Sequence, residues 1–480
     1  MRRFLPVLSV SIVLLARAAF ADVPPSPAPT AAPTPVVLPP APTIDDPMLA
    51  PMPPAPTAIG TWEQTLDLIR NRSTDLRTAF DEVLRAQGLV RTALAATLLT
   101  INGTATYQHQ LAGSNTAFSV TPAQQAALGP AVSQLLEGLG ETSNDQVILG
   151  AQATQPIIAF EAWHSYKTSK INVQAAQLSF EDMKRTIALS VANDLIAVIT
   201  AERVAELNRV GTRSALERLD LARRKNDLGA ASRLDVIRAQ QDVETARATL
   251  VTGDESLRQA REALGLALGI PGEVGVTKDL NLDGLVKAAV DTCRAADSVD
   301  DRADVAAART RLEVAKRRVD DVYYLFLPTL SAQSVASYDL SLPSSAGSTV
   351  SSWNISGVLT VPLWDGGVRY GSLRQNRALE DEARQTLEAT RRVALVQVAQ
   401  ARRSVSVAEA SEMVAKNARV LAAENDRLTR TGYIEGQGTS LELVTAAAAL
   451  REAEITLALR QFDLVRARVT AILALANCPW

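Results

Sequence analysis

The chain has 480 residues, 47% of them apolar and 21% charged, with 49 basic against 52 acidic side chains and a formal charge of −3. That mildly acidic balance argues against nucleic acid as a partner. Two cysteines are too few for a disulfide framework, and beyond the N-terminus no apolar run approaches the roughly 20 uncharged residues of a spanning helix, so any membrane crossing must be made by barrel strands.

In chain order, Arg2 and Arg3, the apolar run Leu5 to Leu15 and the small-residue triplet Ala19-Phe20-Ala21 have the layout of a secretory signal over residues 1–21. Its removal takes away three arginines and no acid, and no cysteine follows to carry a lipid. Residues 22–57 are rich in Pro, Ala and Thr and are expected to be a disordered, semi-extended tether.

The remainder reads as two copies of one unit, 58–275 and 276–480. Val236, Val243, Leu250, Leu257 and Leu264 fall seven apart, and a shift of 207 lands on Leu443, Leu450, Leu457, Leu464 and Ala471. The alanines between them, Ala239, Ala246, Ala260 and Ala267, shift onto Ala446, Ala453, Ala467 and Ala474. Large residues alternating with small ones specify a coiled-coil seam in both halves.

Each unit predicts helix, strand, loop, strand, very long helix, turn, helix. In the first, strands span about 98–110 and 147–156, a Pro-free helix runs over about 162–226, a tip lies at 227–232 and a helix follows over 232–268. In the second, strands are expected at about 328–340 and 351–361, the long helix at 371–431, the tip at 432–440 and the last helix at 440–475. The long helices would reach on the order of 100 Å, and shorter helices at 75–94 and 302–323 complete the length needed to run beside them. The two units differ in length mainly at the first strand connection, Leu111 to Gln146, within which Ala123 to Leu139 is apolar enough for a short helix. The strands alternate, Ile101, Gly103, Ala105 and Tyr107 against Asn102, Thr104, Thr106 and Gln108. That pattern suits a half-buried sheet and a barrel wall equally, and four strands are too few to close a barrel alone.

Catalytic constellations are missing. Only His109 and His164 are available, the first in a strand and the second read as part of an aromatic belt with Trp163 and Tyr166. No zinc-protease, nucleophile-elbow or phosphate-loop pattern occurs, so neither an enzyme nor a metal or cofactor site is expected. Cys293 and Cys478 are compatible with one disulfide or with two buried thiols.

Pro362 ends a strand and Gly366-Gly367 permit a sharp reversal, whatever the function. The whole segment Val358 to Gly367, with Pro362-Leu363-Trp364-Asp365-Gly366-Gly367 at its end, resembles the strand-to-helix signature of TolC-like outer-membrane efflux proteins. Leu327-Pro328-Thr329-Leu330, Asp227-Leu-Gly229 and Tyr433-Ile-Glu-Gly436 agree with it, as do Leu234-Asp235-Val236 and Leu441-Glu442-Leu443. The resemblance covers about Thr61 to Ala476; the first-half junction keeps Pro156 but lacks the Asp-Gly-Gly.

The resemblance implies a mainly α chain with a small β part. Its duplicated long-helix hairpins would form a trimeric tunnel, continued by a transmembrane β-barrel to which each chain gives four strands. It implies an outer-membrane duct with a large periplasmic part, serving tripartite efflux or type I secretion. The partners would be an adaptor protein, an inner-membrane transporter and outer-membrane lipid. A structural coiled-coil envelope protein and the adaptor itself are the rival readings. By the same resemblance Cys293 and Cys478 follow helices at the tunnel's equator, and Gly229, Ser232, Leu234, Tyr433, Gly436, Thr439 and Leu441 lie at the tip that meets the adaptor. Ser232-Arg-Leu-Asp235 and Thr439-Ser-Leu-Glu442 are capping boxes in their own right. The family places acids there in its periplasmic gate. Thr445 and Gly438 stand where it often has a further acid and an arginine, so the gate residues are Asp235, Glu442 and Thr445.

Overall fold

The computed structural model describes residues 44, 46–109, 111, 127, 145–277, 280, 284, 286–288, 291, 293–342, 350–478 and 480. The signal, residues 22–43 and nearly all of the Leu111 to Gln146 connection therefore lie outside the described residues.

Two helices dominate because nothing in their sequences stops them. Helix α3 (Phe160–Asp227) and helix α6 (Val368–Glu435) are each 68 residues long, about 100 Å of unbroken helix. Helices α1 (Trp62–Arg72) and α2 (Thr74–Ala95) precede the first, and α4 (Arg233–Ala267) returns along it. Helices α5 (Ala303–Tyr324) and α7 (Ser440–Leu473) do the same for the second. Thus α2 and α4 both lie against α3, while α5 and α7 both lie against α6, so two short helices cover one long one in each half. Contacts of α3 with α5 and α7 join the halves. Among the described residues no helix is long and apolar enough to cross a membrane.

Between α2 and α3, and again between α5 and α6, the chain leaves the helices to build one antiparallel sheet of order β2-β3-β6-β7. Its strands are β2 (Thr100–His109), β3 (Asp145–Ile158), β6 (Thr329–Leu342) and β7 (Val350–Thr360). Pro156 cannot donate to the ladder, and the β3–β6 register shifts between Pro156 and Ile158.

The densest core sits midway along the helices. There Trp62 and Ile69 of α1 and Leu195 of α3 meet Leu264 of α4 and Leu473 of α7. Two small sheets cover this belt: β1 (Thr57–Ile59) pairs in parallel with β4 (Val274–Val276), and β5 (Arg294–Ala295) pairs antiparallel with β8 (Ala476–Asn477). Cys293 and Cys478, both buried, are joined by a disulfide across this second pair, with Cα atoms 4.2 Å apart.

The Pro-rich segment differs from its sequence reading as far as it is described. From Asp46 to Ile59 the chain is docked on the body: Asp46 accepts from Arg247 at 2.7 Å, the Pro53 carbonyl accepts from Arg261 at 3.0 Å, and the strap ends in β1. Composition alone gave no sign of these arginines, which lie about 200 residues away in α4.

The disulfide closes a loop of 185 residues, so its loss should cost about 5 kcal/mol through the freedom returned to the unfolded chain. A Cys478→Ser chain in detergent should therefore show a clearly lower urea midpoint than the oxidised wild type. Two reactive thiols in the denatured, unreduced wild type would contradict the bond itself.

Candidate functional site

Two places concentrate the residues singled out in the sequence: the sheet-to-helix junctions and the turns at the far end of the long helices. At the second junction residues 361–367 separate β7 from α6. Asp365 organises this turn. Its carboxylate accepts from the backbone N–H of Gly367 at 3.0 Å and of Arg369 at 3.1 Å, and from Arg369 Nε at 2.7 Å. Arg369 Nη1 donates to the Pro362 carbonyl at 3.2 Å, and the guanidinium lies over the Phe326 ring. Gly366 and Gly367 both adopt left-handed φ, 70° and 93°, which a side chain would disfavour. The motif is thus a helix start locked by one acid and one base, which holds the Asp365 carboxyl below its ordinary range. Leu363 and Trp364, largely exposed, project from it. At the first junction a single residue, Ala159, separates β3 from α3 without a side-chain cap, so the two junctions bend differently.

His164 is not part of an aromatic belt. It turns inward, and its Nδ1 lies 2.5 Å from Asp321 of α5, because a half-buried carboxylate there needs a donor. Trp163, one residue away, faces out and packs edge-on against Phe160.

At the tip, both helix starts are full capping boxes. Ser232 Oγ accepts from the Asp235 N–H at 3.3 Å while Asp235 Oδ2 accepts from the Ser232 N–H at 2.9 Å. Thr439 and Glu442 repeat the exchange at 3.2 and 2.8 Å. The same acids also divide the work. Asp235 accepts in addition from Ser440 Oγ of α7, tying one half to the other, whereas among the described residues Glu442 is held by Thr439 alone. The Ser440 hydrogen bond first, then those of Ser232, hold the Asp235 carboxyl low; the Thr439 backbone N–H does so for Glu442. Thr445 is turned back on its own helix, donating to the carbonyls of Leu441 at 2.9 Å and Glu442 at 3.0 Å.

Gly229 and Gly436 end α3 and α6 with left-handed φ of 74° and 80°. Tyr433 is buried, and Lys225 crosses to it from α3. The Lys225 ammonium donates to the Tyr433 carbonyl and, at 3.3 Å, to that of Ile434, and it sits 4.2 Å from the Tyr433 ring centre. A cation at the C-terminal carbonyls of α6 complements the helix dipole, yet burial lowers the lysine's pKa. Burial, and then the Asp235 charge, raise that of Tyr433. Leu228, Leu234, Ile434 and Leu441 remain exposed around these links. Lys225 was missed in the sequence because its partners lie 208 residues away.

The family model described as outer membrane efflux protein matches residues 65–270 and 297–477. The alkaline protease secretion protein AprF of Pseudomonas aeruginosa is 24% identical over 67% of this chain and 68% of its own length. The probable efflux pump outer membrane protein TtgC of Pseudomonas putida is 26% identical, over 54% of this chain and a little over half (56%) of that protein. The crystal structure of the outer membrane protein VceC from Vibrio cholerae shares the fold, with a TM-score of 0.69 at 19% identity over 86% of this chain and 96% of that one. The match over both repeats displaces the structural-coil and adaptor readings: the chain belongs to the outer membrane efflux protein family.

Proposed function

We propose that three copies of this outer-membrane channel protein assemble into one duct, a shared β-barrel continued by a helical tunnel through the periplasm. The observation that carries the reading is the sheet. It has two edges, β2 and β7, whose outer sides are unpaired among the described strands, and three copies of four strands make a barrel of twelve. Its apolar residues support the same reading: Ile101, Tyr107, Trp353, Ile355 and Leu359 are exposed in the single chain, as a lipid-facing wall requires.

The helices support it independently. Along α6, Val393, Val407, Val414, Leu421 and Leu428 share one heptad position and are each more than half exposed, a coiled-coil seam without a partner among the described residues of its own chain. A neighbouring copy supplies that partner. The exposed leucines of the tip, Leu234 and Leu441 among them, fit an adaptor protein, and the adaptor couples the duct to an inner-membrane transporter that supplies the energy. The chain itself is read as a passive conduit with no catalytic step.

The gate is read at the tip, from Asp235, Glu442 and Thr445. Glu442 is exposed and, among the described residues, committed to its cap alone, so its charge is available to an ion in the opening, and three copies around a narrow hole focus negative potential. Replacing Glu442 with Gln keeps an acceptor for the Thr439 N–H and removes the charge. In planar bilayers filled with asymmetric salt, the variant should lose cation preference, seen as a reversal potential nearer zero; an unchanged value would leave Glu442 a capping residue only.

Acid should also loosen the tip. Both carboxyls have pKa values lowered by folding, so the stability that they contribute is present above their unfolded values, about 3.9 and 4.3, and is lost as pH falls through the lowered folded ones. Conductance should rise as the pH falls below that range, and Asp235→Asn should flatten the rise.

A further inference from the structure

Where they leave the sheet, the two long helices carry the same short stripe. On α3, Trp163 is followed by Lys167 and Lys170; on α6, Tyr370 is followed by Arg374 and Arg377. Steps of four and then three residues keep each set on one helix face. The shift of 207 that relates the two hairpins carries each member of the first stripe onto its counterpart in the second. An aromatic residue followed by two cations therefore stands at equivalent places in both repeats, and all six side chains are exposed.

The four cations lack the acids that accompany other arginines of α6. Arg384 is bonded to Glu380 and Asp381, and Arg427 to Glu424, each within one turn. Among the described residues Lys167, Lys170, Arg374 and Arg377 have no ion pair, and the two acids within a turn of Arg377 are those held by Arg384. Lys170 and Arg377 lie instead over tyrosine rings, Tyr166 at 4.4 Å and Tyr323 at 5.9 Å. Like charges one turn apart repel, so each pair is unfavourable until an anion sits between its members.

The geometry says where that anion lies. Both helices begin at the sheet, and helical side chains lean toward the N-terminus, so the cations reach back toward the strands. Lys167 and Arg374 stand about 10 Å beyond the first residues of their helices, and Lys170 and Arg377 about 14 Å. A lipid headgroup layer is roughly 5–8 Å deep, and long cationic stems extend to it from that distance. Tyr370, Arg374 and Arg377 also occupy heptad positions other than that of the exposed Val393 seam, so a copy seated on the seam leaves them free.

We propose that each stripe is a binding site for an anionic phospholipid of the leaflet on the tunnel side, its aromatic residue at the hydrocarbon boundary and its two cations on the lipid phosphate. This rests on the reading of the sheet as a membrane-spanning barrel wall. A zwitterionic headgroup fits less well, because the stripe offers no acid for its ammonium. Three copies would set six such sites around the foot of the barrel and fix its height in the bilayer.

The test uses the purified full chain in phosphatidylcholine vesicles that contain a minor share of lipid brominated on its acyl chains, either phosphatidylglycerol or phosphatidylcholine. Bromine quenches tryptophan on contact, so the excess quenching by brominated phosphatidylglycerol reports its enrichment beside Trp163 and Trp364. Wild type should favour phosphatidylglycerol severalfold, and the preference should fade as salt is raised. Changing all four cations to Gln should abolish it, Lys167→Gln with Lys170→Gln should lower it, and Lys167→Arg with Lys170→Arg should retain it. If the fourfold variant does not insert, the pair variants decide. Equal quenching by the two lipids in wild type, or an undiminished preference in the Gln variants, would overturn the sites; if those vesicles still conduct ions, the barrel stands. Altered conductance with unchanged lipid preference would place the stripes on the tunnel wall and overturn them too. Vesicles that hold the chain but never conduct would remove the barrel reading as well.

Discussion

A helix about 100 Å long has no core of its own, and that constraint shapes the rest of the molecule. Each 68-residue helix must be covered along its length by something else. The chain meets the need by pairing each long helix with two shorter ones, and it leaves one heptad face of α6 exposed. The small residues of the seams follow from the same need. Ala215, Ala222, Ala239 and Ala246 allow α3 and α4 to approach closely, while Leu219 and Val243 fill the spaces between. Among the described residues, globular packing is concentrated at the equator, where helix ends, two small sheets, the strap and the disulfide meet.

What could be read in the sequence was whatever repeats or acts locally. The heptads around Val236 and Leu443 reveal the hairpins because a period is visible without knowing the partner. The capping boxes at Ser232 and Thr439 are visible because all their atoms lie within four residues. The Pro362 to Gly367 motif was recognisable as a junction, but the reason for its acid was not. Asp365 is there to cap the helix and to hold Arg369 against the Pro362 carbonyl.

The unreadable part is long-range and polar. The Asp46 and Pro53 contacts with α4, Lys225 with the end of α6, His164 with Asp321, and Arg451 with Asp242 each join residues more than 150 positions apart. A single charge in a helix carries no periodicity, so nothing in one sequence distinguishes such a residue from a solvated one. Gly211 was the nearest thing to a signal, a lone glycine inside a long helical pattern, and its reason, that a side chain there would strike Arg451, required the position of that arginine. The two-residue pair β5–β8 was missed for a related reason, being too short to alternate.

The division between apolar and polar contacts also sets where the molecule can bend. Within the first hairpin the seam near the tip is apolar, so separating α3 from α4 would expose Leu219 and Val243 to water at a cost that nothing recovers. Between hairpins, the equator is likewise apolar, with Phe462 and Val469 of α7 packed into the core around Leu195 of α3. Toward the tip the links between hairpins become hydrogen bonds and ion pairs: Arg451 with Asp242, Ser440 with Asp235, Lys225 with the last carbonyls of α6. Water replaces a hydrogen bond at a small net cost, whereas it replaces no apolar contact. The polar links between hairpins toward the tip are therefore cheaper to break than the apolar seam within the first hairpin or the apolar contacts at the equator.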